Sequence, residues 1–470
     1  MRRLAPWAAV WGLTLALMAL TTTQSLQRYR ELRSGWSWDL AWNNQWFWAL
    51  VKGDQTLSVR PVNSWADEGP SIWVHTHLDP IRLAIVPFYA LRPAPETLIV
   101  VHNVLIWLVI PAAFGLLRAE TGSDALALSG TALVPLTPLL GPLVWNDFRE
   151  MEFAIPFVLW AVQGFRFRRK GLAAFGVAGM LACREEFAIM LASFALLPPK
   201  AEEDVGTTFA WARTAVYLAA GWFLFAFFGY EHLMVSRGVP DFYLTHVGEP
   251  KPGLAATGRE AWDFVAFGLG SWAVLALAAP RVAVLALPWV WAVSNGRWSL
   301  SQLADWRWHH VRYTAPMVAT ILAAGLIGYA RLGTLALRRR HGWWLVAGLW
   351  LAAAAGLVAA RRDLHARMDR IDWPISRAEA AEIWRWVDRV GPDDAVLASY
   401  EVSAPLSSRR LLFSNRLWLN FPRHYPVLDP EFRWIFLRKD DVRPEVFTSQ
   451  GFEVVYRGDF IWIYRRGGAR

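Results

Sequence analysis

The chain is poor in cysteine and in charge. Cys183 is the single cysteine among 470 residues, so no intrachain disulfide can form and cysteine usage names no redox compartment. Charged side chains make up 19% of the chain, against about 25% in a soluble globular domain. That leaves too little polar surface to cover a large water-soluble fold. No glycine-rich phosphate-binding loop is present. The amphipathic stripes that a soluble helical protein would need are also missing, because the apolar runs are apolar all round.

What is there instead is apolar mass in blocks, 55% of the residues being hydrophobic, with 30 Trp and 26 Phe. Runs such as Trp7 to Leu20, Leu98 to Leu117 and Trp343 to Ala360 approach the roughly 20 residues that cross a bilayer core. The chain therefore reads as a polytopic membrane protein. Its net charge of +9 does not argue for nucleic acid. Arg2 and Arg3, the Arg166, Arg168, Arg169, Lys170 cluster and Arg338 to Arg340 all abut apolar runs, where orientation signals sit. After the first run, Thr21-Thr22-Thr23-Gln24 offers no small-x-small cleavage site, so that run reads as a retained span.

Eleven spans are expected, near residues 5–22, 97–118, 125–145, 151–165, 171–183, 186–199, 210–234, 262–279, 281–295, 312–334 and 342–360. The stretch 171–199 decides the parity, because Arg184-Glu185-Glu186 stands at its middle. Charges at the bilayer centre are costly on insertion scales, and a hairpin that lifts them to the far surface avoids the cost. Counting two spans there also leaves every basic connection in the cytoplasm. The expectation is a multi-pass inner-membrane protein with a cytoplasmic N-terminus. It has a mainly α transmembrane bundle over 1–360, a long first outer loop at 23–96 and an extracytoplasmic α/β domain over 361–470. In that last part, Ala378, Ala381, Ile383, Trp384 and Val387 make a helical stripe after a Ser376 N-cap candidate. Short apolar runs at Ala395–Ala398, Leu411–Phe413, Trp434–Leu437, Glu453–Tyr456 and Phe460–Tyr464 read as strands, the last two joined by Arg457-Gly458-Asp459 as a turn.

The polar chemistry falls on one face of this topology. Asp39 opens a segment in which Trp38, Trp42 and Trp46 form a helical aromatic stripe suited to a membrane interface; its plain alternative role is an N-cap. His75-Thr76-His77-Leu78-Asp79 pairs alternate histidines with a carboxylate, a weak metal signal that capping of the following helix explains equally. Asn146 to Glu152 packs three carboxylates, Asp147 among them, and Arg149 into a tight turn between apolar flanks, where ionisable groups are functional candidates. Glu185 and Glu186 top the short hairpin and can bind a cation or receive a hydroxyl proton, or simply form a solvated turn with Arg184. His310 and Arg312 stand before the tenth span. Arg there can hold a lipid phosphate in bidentate fashion, and Trp308 and Tyr313 are ordinary interfacial anchors.

These residues resemble the polytopic membrane proteins of domain-of-unknown-function family 2079, which in turn look like GT-C glycosyltransferases. The resemblance rests on Asp39 with Asn44-Gln45, His77 with Pro80 and Pro87-Phe88-Tyr89, Asp147-Phe148, Arg184-Glu185-Glu186, His310 through Tyr313 to Pro316, and the tail segments Pro392–Ser399 and Leu406–Arg409. Arg149 stands where the family commonly has a histidine, and Arg184-Glu185-Glu186 where Lys-Glu-Asp is usual; the first departure counts against a metal site in that turn. The resemblance implies transfer of a sugar from a polyprenyl-phosphate donor on the outer face, with Asp39 as base on the acceptor hydroxyl. Asp147 and Glu185 would be further acidic groups for acceptor or metal, and His77, Glu186, His310 and Arg312 would bind substrate. A non-catalytic membrane scaffold and a lipid or solute transporter stay open beside it, as do the sugar, the acceptor and any need for Mg²⁺ or Mn²⁺.

Overall fold

The computed structural model describes residues 4–33, 37–54, 58, 77–145, 147–200, 204–230, 264–288, 314–368, 375–414, 432–441 and 444–467. His75, Asn146, His310 and Arg312 lie outside the described residues, as do residues 235–261 and 296–311, the connections between the expected spans on either side of them.

Among the described residues five stretches are helical, apolar and long enough to cross a membrane: Ala5–Arg30 (α1), Pro95–Thr121 (α4, Pro95–Trp107, continued by α5, Val109–Thr121), Val205–Gly229 (its α-helical part, α11, being Val205–Leu224), Ala315–Leu337 (α14) and Gly342–Leu364 within α15, Gly342–Met368. Burial sorts them into two groups. The most apolar windows of Pro95–Thr121 and α14 are 67% and 72% buried, whereas those of α1, Val205–Gly229 and α15 are only 17–22% buried. Apolar helices with most of their surface uncovered are solvated by lipid, so the first two form the bundle centre and the other three its rim.

Shorter helices fill the remainder: α2 (Ser37–Lys52), α3 (Ile81–Leu91), α6 (Asp124–Thr131), α7 (Leu140–Val144), α8 (Ala154–Arg166), α9 (Lys170–Cys183), α10 (Phe187–Ser193), α12 (Ser271–Ala276) and α13 (Pro280–Ala283). The expected break at Arg184-Glu185-Glu186 is where α9 stops, Arg184 being extended at φ −171°. The stretch 125–145, expected as one span, is instead broken into α6, a 3₁₀ turn at Val134–Leu136 and α7. Pro135, Pro138 and Pro142 each remove a backbone donor and clash with the preceding turn, which interrupts a continuous helix. Helices α8 and α9 pack along each other at glycine. A Cβ at Gly176 would fall on the backbone of Ala161, and one at Gly164 on that of Ala173. This is the close approach that small residues permit between helices in a membrane.

The C-terminal unit carries α16 (Arg377–Val387), α17 (Tyr400–Ser403), α18 (Pro444–Thr448) and strands β1 (Ala395–Ala398), β2 (Leu412–Ser414), β3 (Phe432–Arg438), β4 (Phe452–Arg457) and β5 (Ile461–Arg466). The strands form one sheet in the order β2-β1-β3-β5-β4. β1 runs parallel to β2 and β3, while β5 is antiparallel to β3 and β4. Ser376 caps α16, its hydroxyl accepting the Glu379 N–H at 3.1 Å. Glu379 in turn accepts the N–H groups of Phe460 and Ile461, both at 2.9 Å, which ties the helix to the β4–β5 turn. One face of the sheet packs Trp434, Phe436, Ile461 and Ile463 toward Ile383 of α16 and the bundle; the other buries Phe447 of α18 among Leu397, Ile435 and Leu437.

Candidate functional site

The site is organised by α2, which carries polar residues on a face turned inward. Asn43, Asn44 and Gln45 are each 0% exposed, so their amides need partners inside the protein. Asn44 donates to the hydroxyls of Ser407 at 2.8 Å and Ser408 at 3.0 Å, and accepts from the Tyr89 hydroxyl at 2.6 Å. Gln45 donates to Ser58 Oγ and to the Arg409 carbonyl, both at 2.8 Å, and more weakly to the Arg410 carbonyl at 3.1 Å. The Ser58 hydroxyl donates its own proton to the Arg410 carbonyl at 2.9 Å and accepts the Leu412 N–H at 2.8 Å, beside strand β2. The C-terminal unit is thereby fastened to α2 through side-chain amides and hydroxyls.

The N-terminal turn of α2 presents Asp39, where the helix dipole favours a carboxylate. Its partner is Arg149, whose guanidinium donates to Asp39 Oδ2. Arg149 belongs to the turn that precedes α8, and Asn43 holds that turn by donating to the Phe148 carbonyl at 3.4 Å. Asp147 opens the turn with φ +41°, a left-handed conformation that Asp tolerates better than most residues. Burial pushes the Asp147 carboxyl up to about 6, with Arg28 of α1 and His102 of α4 pulling the other way. His102 is itself wholly buried, accepting the Arg149 N–H at 3.3 Å and lying 3.2 Å from Glu152.

A second cluster adjoins the same turn. Glu185 accepts from His77 Nδ1 at 2.8 Å and from the Leu78 N–H at 2.9 Å. Arg184 reaches His77 Nε2 at 2.6 Å and Glu186 at 3.4 Å. A guanidinium can only donate, so Nε2 is the unprotonated nitrogen and the Nδ1–H faces Glu185; this network assigns a neutral imidazole. Asp79 pairs with Arg82 at 2.7 Å, and Arg82 also pairs with Glu150. Arg82 is 2% exposed and lies over the rings of Trp42 and Trp46, at 4.8 and 5.3 Å from their centroids. Burial pushes the Asp79 carboxyl well above the ordinary range; Arg82 opposes this, and Glu150 and Glu185 add to it.

Asp39 is thus joined to the turn that holds Asp147 through Arg149, and the Asp79–Arg82–Glu150 chain reaches the same turn, while Glu185 bonds His77 and Leu78, the residue before Asp79. His77 and Glu186 flank Glu185. Two expectations are corrected. Trp42 and Trp46 do not form a lipid-facing stripe; they are 7% and 8% exposed and cover Arg82. His77 and Asp79 do not cap α3 either, because its N-cap is Pro80, with no side-chain bond, and both side chains are engaged elsewhere. Neither Arg82 nor Arg149 is singled out as a site residue by the sequence alone. A lone arginine at the second position of the otherwise apolar run Ile81–Leu91 is the signal that marks the first.

Among the described residues no group of three or more His, Cys, Asp or Glu side chains could hold a metal ion. Asp39, Asp79, Glu150 and Glu186 are each paired with a guanidinium, and Glu152 and Glu185 with an imidazole. The departure at Arg149 also acquires a physical sense, since a permanent cation there keeps Asp39 paired across the physiological pH range.

The bundle and its small sheet define a polytopic membrane protein with a GT-C-like fold. Residues 28–243 match the family model described as "Predicted membrane protein (DUF2079)", and the chain resembles that family across the whole of the site's turn, α2 and the α9–α10 break. The crystal structure of ArnT from Cupriavidus metallidurans bound to undecaprenyl phosphate superposes with a TM-score of 0.50 at 12% identity, covering 98% of each chain. ArnT from the same organism in the apo state gives 0.47 at 11% identity, again over 98% of each chain. ArnT is a GT-C glycosyltransferase, and at such identity the likeness is one of fold. No curated protein matches the chain in sequence.

Proposed function

We propose that the protein transfers a sugar from a polyprenyl-phosphate donor to an acceptor hydroxyl on the outer face of the inner membrane, with the N-terminus cytoplasmic and the C-terminal unit over the site. The observation that carries this reading is Asp39. Its carboxylate stands ionised beside Arg149, on a helix locked to the rest of the fold by Asn44 and Gln45, and about a quarter of its side chain is exposed. The ArnT structure of the same fold holds undecaprenyl phosphate, which supports a lipid-linked donor. In the reaction the acceptor oxygen bonds to the anomeric carbon while its proton passes to Asp39. The bond from the anomeric carbon to the phosphate oxygen breaks, and polyprenyl phosphate leaves with the electron pair. Cationic groups stabilise the charge that develops on that phosphate, the part we give to His310 and Arg312. His77 and Glu186 would contact substrate, and Asp147 and Glu185 would complete the acidic wall.

The test is transfer of radiolabelled sugar from polyprenyl-phosphate donors by the full-length protein. Asp39→Asn should lower transfer by about 10²–10⁴-fold, the usual worth of a general base. Arg149→Gln breaks the same ion pair but keeps the carboxylate, and should retain measurable transfer. Unchanged transfer by Asp39→Asn removes Asp39 as the base. Absence of transfer from every such donor, with folded protein, leaves a scaffold or a transporter as the better reading.

A further inference from the structure

Away from the acidic turn, the end of α1 and helix α16 enclose a cavity of about 800 Å³. Arg30 and Glu31 from α1, Glu96 from the first turn of α4, and Arg377, Trp384 and Asp388 from α16 and its C-cap line it. Two contacts fix its walls: the Trp384 indole donates to the Arg30 carbonyl at 2.8 Å, and Arg377 pairs with Glu31 at 3.0 Å. The side chains of Arg30, Glu96 and Asp388 make no hydrogen bond or ion pair with any described residue. Among the described residues they stand as one free cation and two free anions around a common space. Arg30 follows Arg28 by two positions, about 200° round a helix, so the cavity lies on the opposite flank of α1 from Asp147.

Its position says what can enter. α1 is a rim helix, with only 17% of its most apolar window buried, and Leu15 and Leu20 are 60% and 56% exposed. A cavity at the end of such a helix opens where lipid headgroups lie. Its volume falls in the usual range for small-ligand sites, about 300–1,000 Å³. Three carboxylates against two guanidiniums, with one pair already joined, leave a setting that takes an ammonium beside a phosphate.

We propose that this cavity holds the headgroup of a zwitterionic phospholipid with a primary ammonium, Glu96 and Asp388 receiving the ammonium and Arg30 the phosphate. A primary ammonium donates three charge-assisted hydrogen bonds to carboxylates, whereas a quaternary one donates none. The cavity should therefore choose phosphatidylethanolamine over phosphatidylcholine, and over phosphatidylglycerol, which has no cation. The site is separate from the acidic turn, and its occupancy does not depend on the transfer reaction.

The test is lipid binding by the full-length protein in detergent, titrated with dioleoylphosphatidylethanolamine, dioleoylphosphatidylcholine and dioleoylphosphatidylglycerol, and read by native mass spectrometry. One phosphatidylethanolamine should bind at least about tenfold more tightly than either other lipid, which corresponds to about 1.4 kcal/mol. The double variant Glu96→Gln with Asp388→Asn should lose that preference, and Arg30→Gln should weaken the same lipid by a similar factor. These side chains are partly or fully exposed, and a matched melting temperature checks each variant's fold. If the double variant does not fold, Arg30→Gln decides between the outcomes by itself. Equal binding of the three lipids, or a preference that survives the substitutions, overturns the proposal. So does displacement of the lipid by equimolar glycerophosphoethanolamine, which would assign the site to a soluble phosphate ester.

Discussion

Replacing Gln45 with alanine should loosen the C-terminal unit without touching Asp39, Asp147 or Glu185. The amide of Gln45 donates to Ser58 Oγ, the Arg409 carbonyl and the Arg410 carbonyl at 2.8, 2.8 and 3.1 Å. Removing it leaves the Arg410 carbonyl its bond from Ser58 at 2.9 Å, but takes this donor from the Arg409 carbonyl. Two neutral hydrogen bonds lost at about 1 kcal/mol each, with about 1 kcal/mol or more for a buried carbonyl left short of a donor, give about 3 kcal/mol. That free energy corresponds to a roughly 10²-fold larger population of the undocked state. Trypsin reports it directly. Arg409 is 5% exposed, so cleavage after Arg409 needs local opening, and its rate follows the open population when reclosing is fast. Cleavage there, followed by mass spectrometry of the detergent-solubilised protein, should be about 10²-fold faster in Gln45→Ala. Gln45→Glu should be worse, because it turns a carboxylate toward two carbonyls. A Gln45→Ala rate equal to that of the unsubstituted protein would refute the argument that this amide fastens the two parts.

Three further outcomes follow from other sites. Glu120→Ala should destabilise the bundle by about 3–5 kcal/mol in thermal unfolding, because Arg166, 2% exposed and paired with Glu120 at 2.5 Å, would be left as a buried charge. Asp147 has its carboxyl raised from 3.8 to about 6, so the folded state holds that proton more tightly than the unfolded chain. The stability this supplies is complete below about pH 4 and is lost as pH rises through about 6. Asp147→Asn should accordingly remove about 3 kcal/mol of pH dependence between those limits in unfolding curves; an unchanged profile would show that Asp147 is not held in a dry site. Gly176→Ala should cost about 1–3 kcal/mol or more by forcing α8 from α9, measured as a lower melting temperature.

The parts of the fold that are legible in the sequence are those ruled by local periodicity. Ser376, the stripe through Ile383 and Val387, and the short apolar runs from Ala395 onward correspond to α16 and its five strands, because periods of 3.6 and 2 are written in adjacent residues. The break at Arg184 is legible because charge is costly in lipid. Pairings across distance are not. Asp39 and Arg149 are 110 residues apart and His77 and Glu185 are 108 apart, and nothing local to either member names the other. The tryptophans at 42 and 46 mislead for a related reason. A ring that anchors at a membrane interface and a ring that covers a buried guanidinium have the same spacing along a helix, and only the arrival of Arg82 from α3 decides between them. Asn44-Gln45 lies within the stretch that matches the family model, and its partners Ser407, Ser408 and Arg409 lie outside it. Their contact joins that stretch to the C-terminal unit.

That contact also sets an order of events during synthesis. Asn44 and Ser407 are separated by 363 residues, so the polar face of α2 emerges from the ribosome long before its C-terminal partners exist. At about 5–20 residues per second, the wait lasts on the order of tens of seconds. Throughout that interval Ser58 and Tyr89 are the early partners within reach of Gln45 and Asn44, and the bonds to Ser407, Ser408 and the Arg409 carbonyl wait. A chain interrupted anywhere before Ser407 would leave those bonds unmade. The docking of α2 against the C-terminal unit is therefore completed only once residues 407–409 have been made.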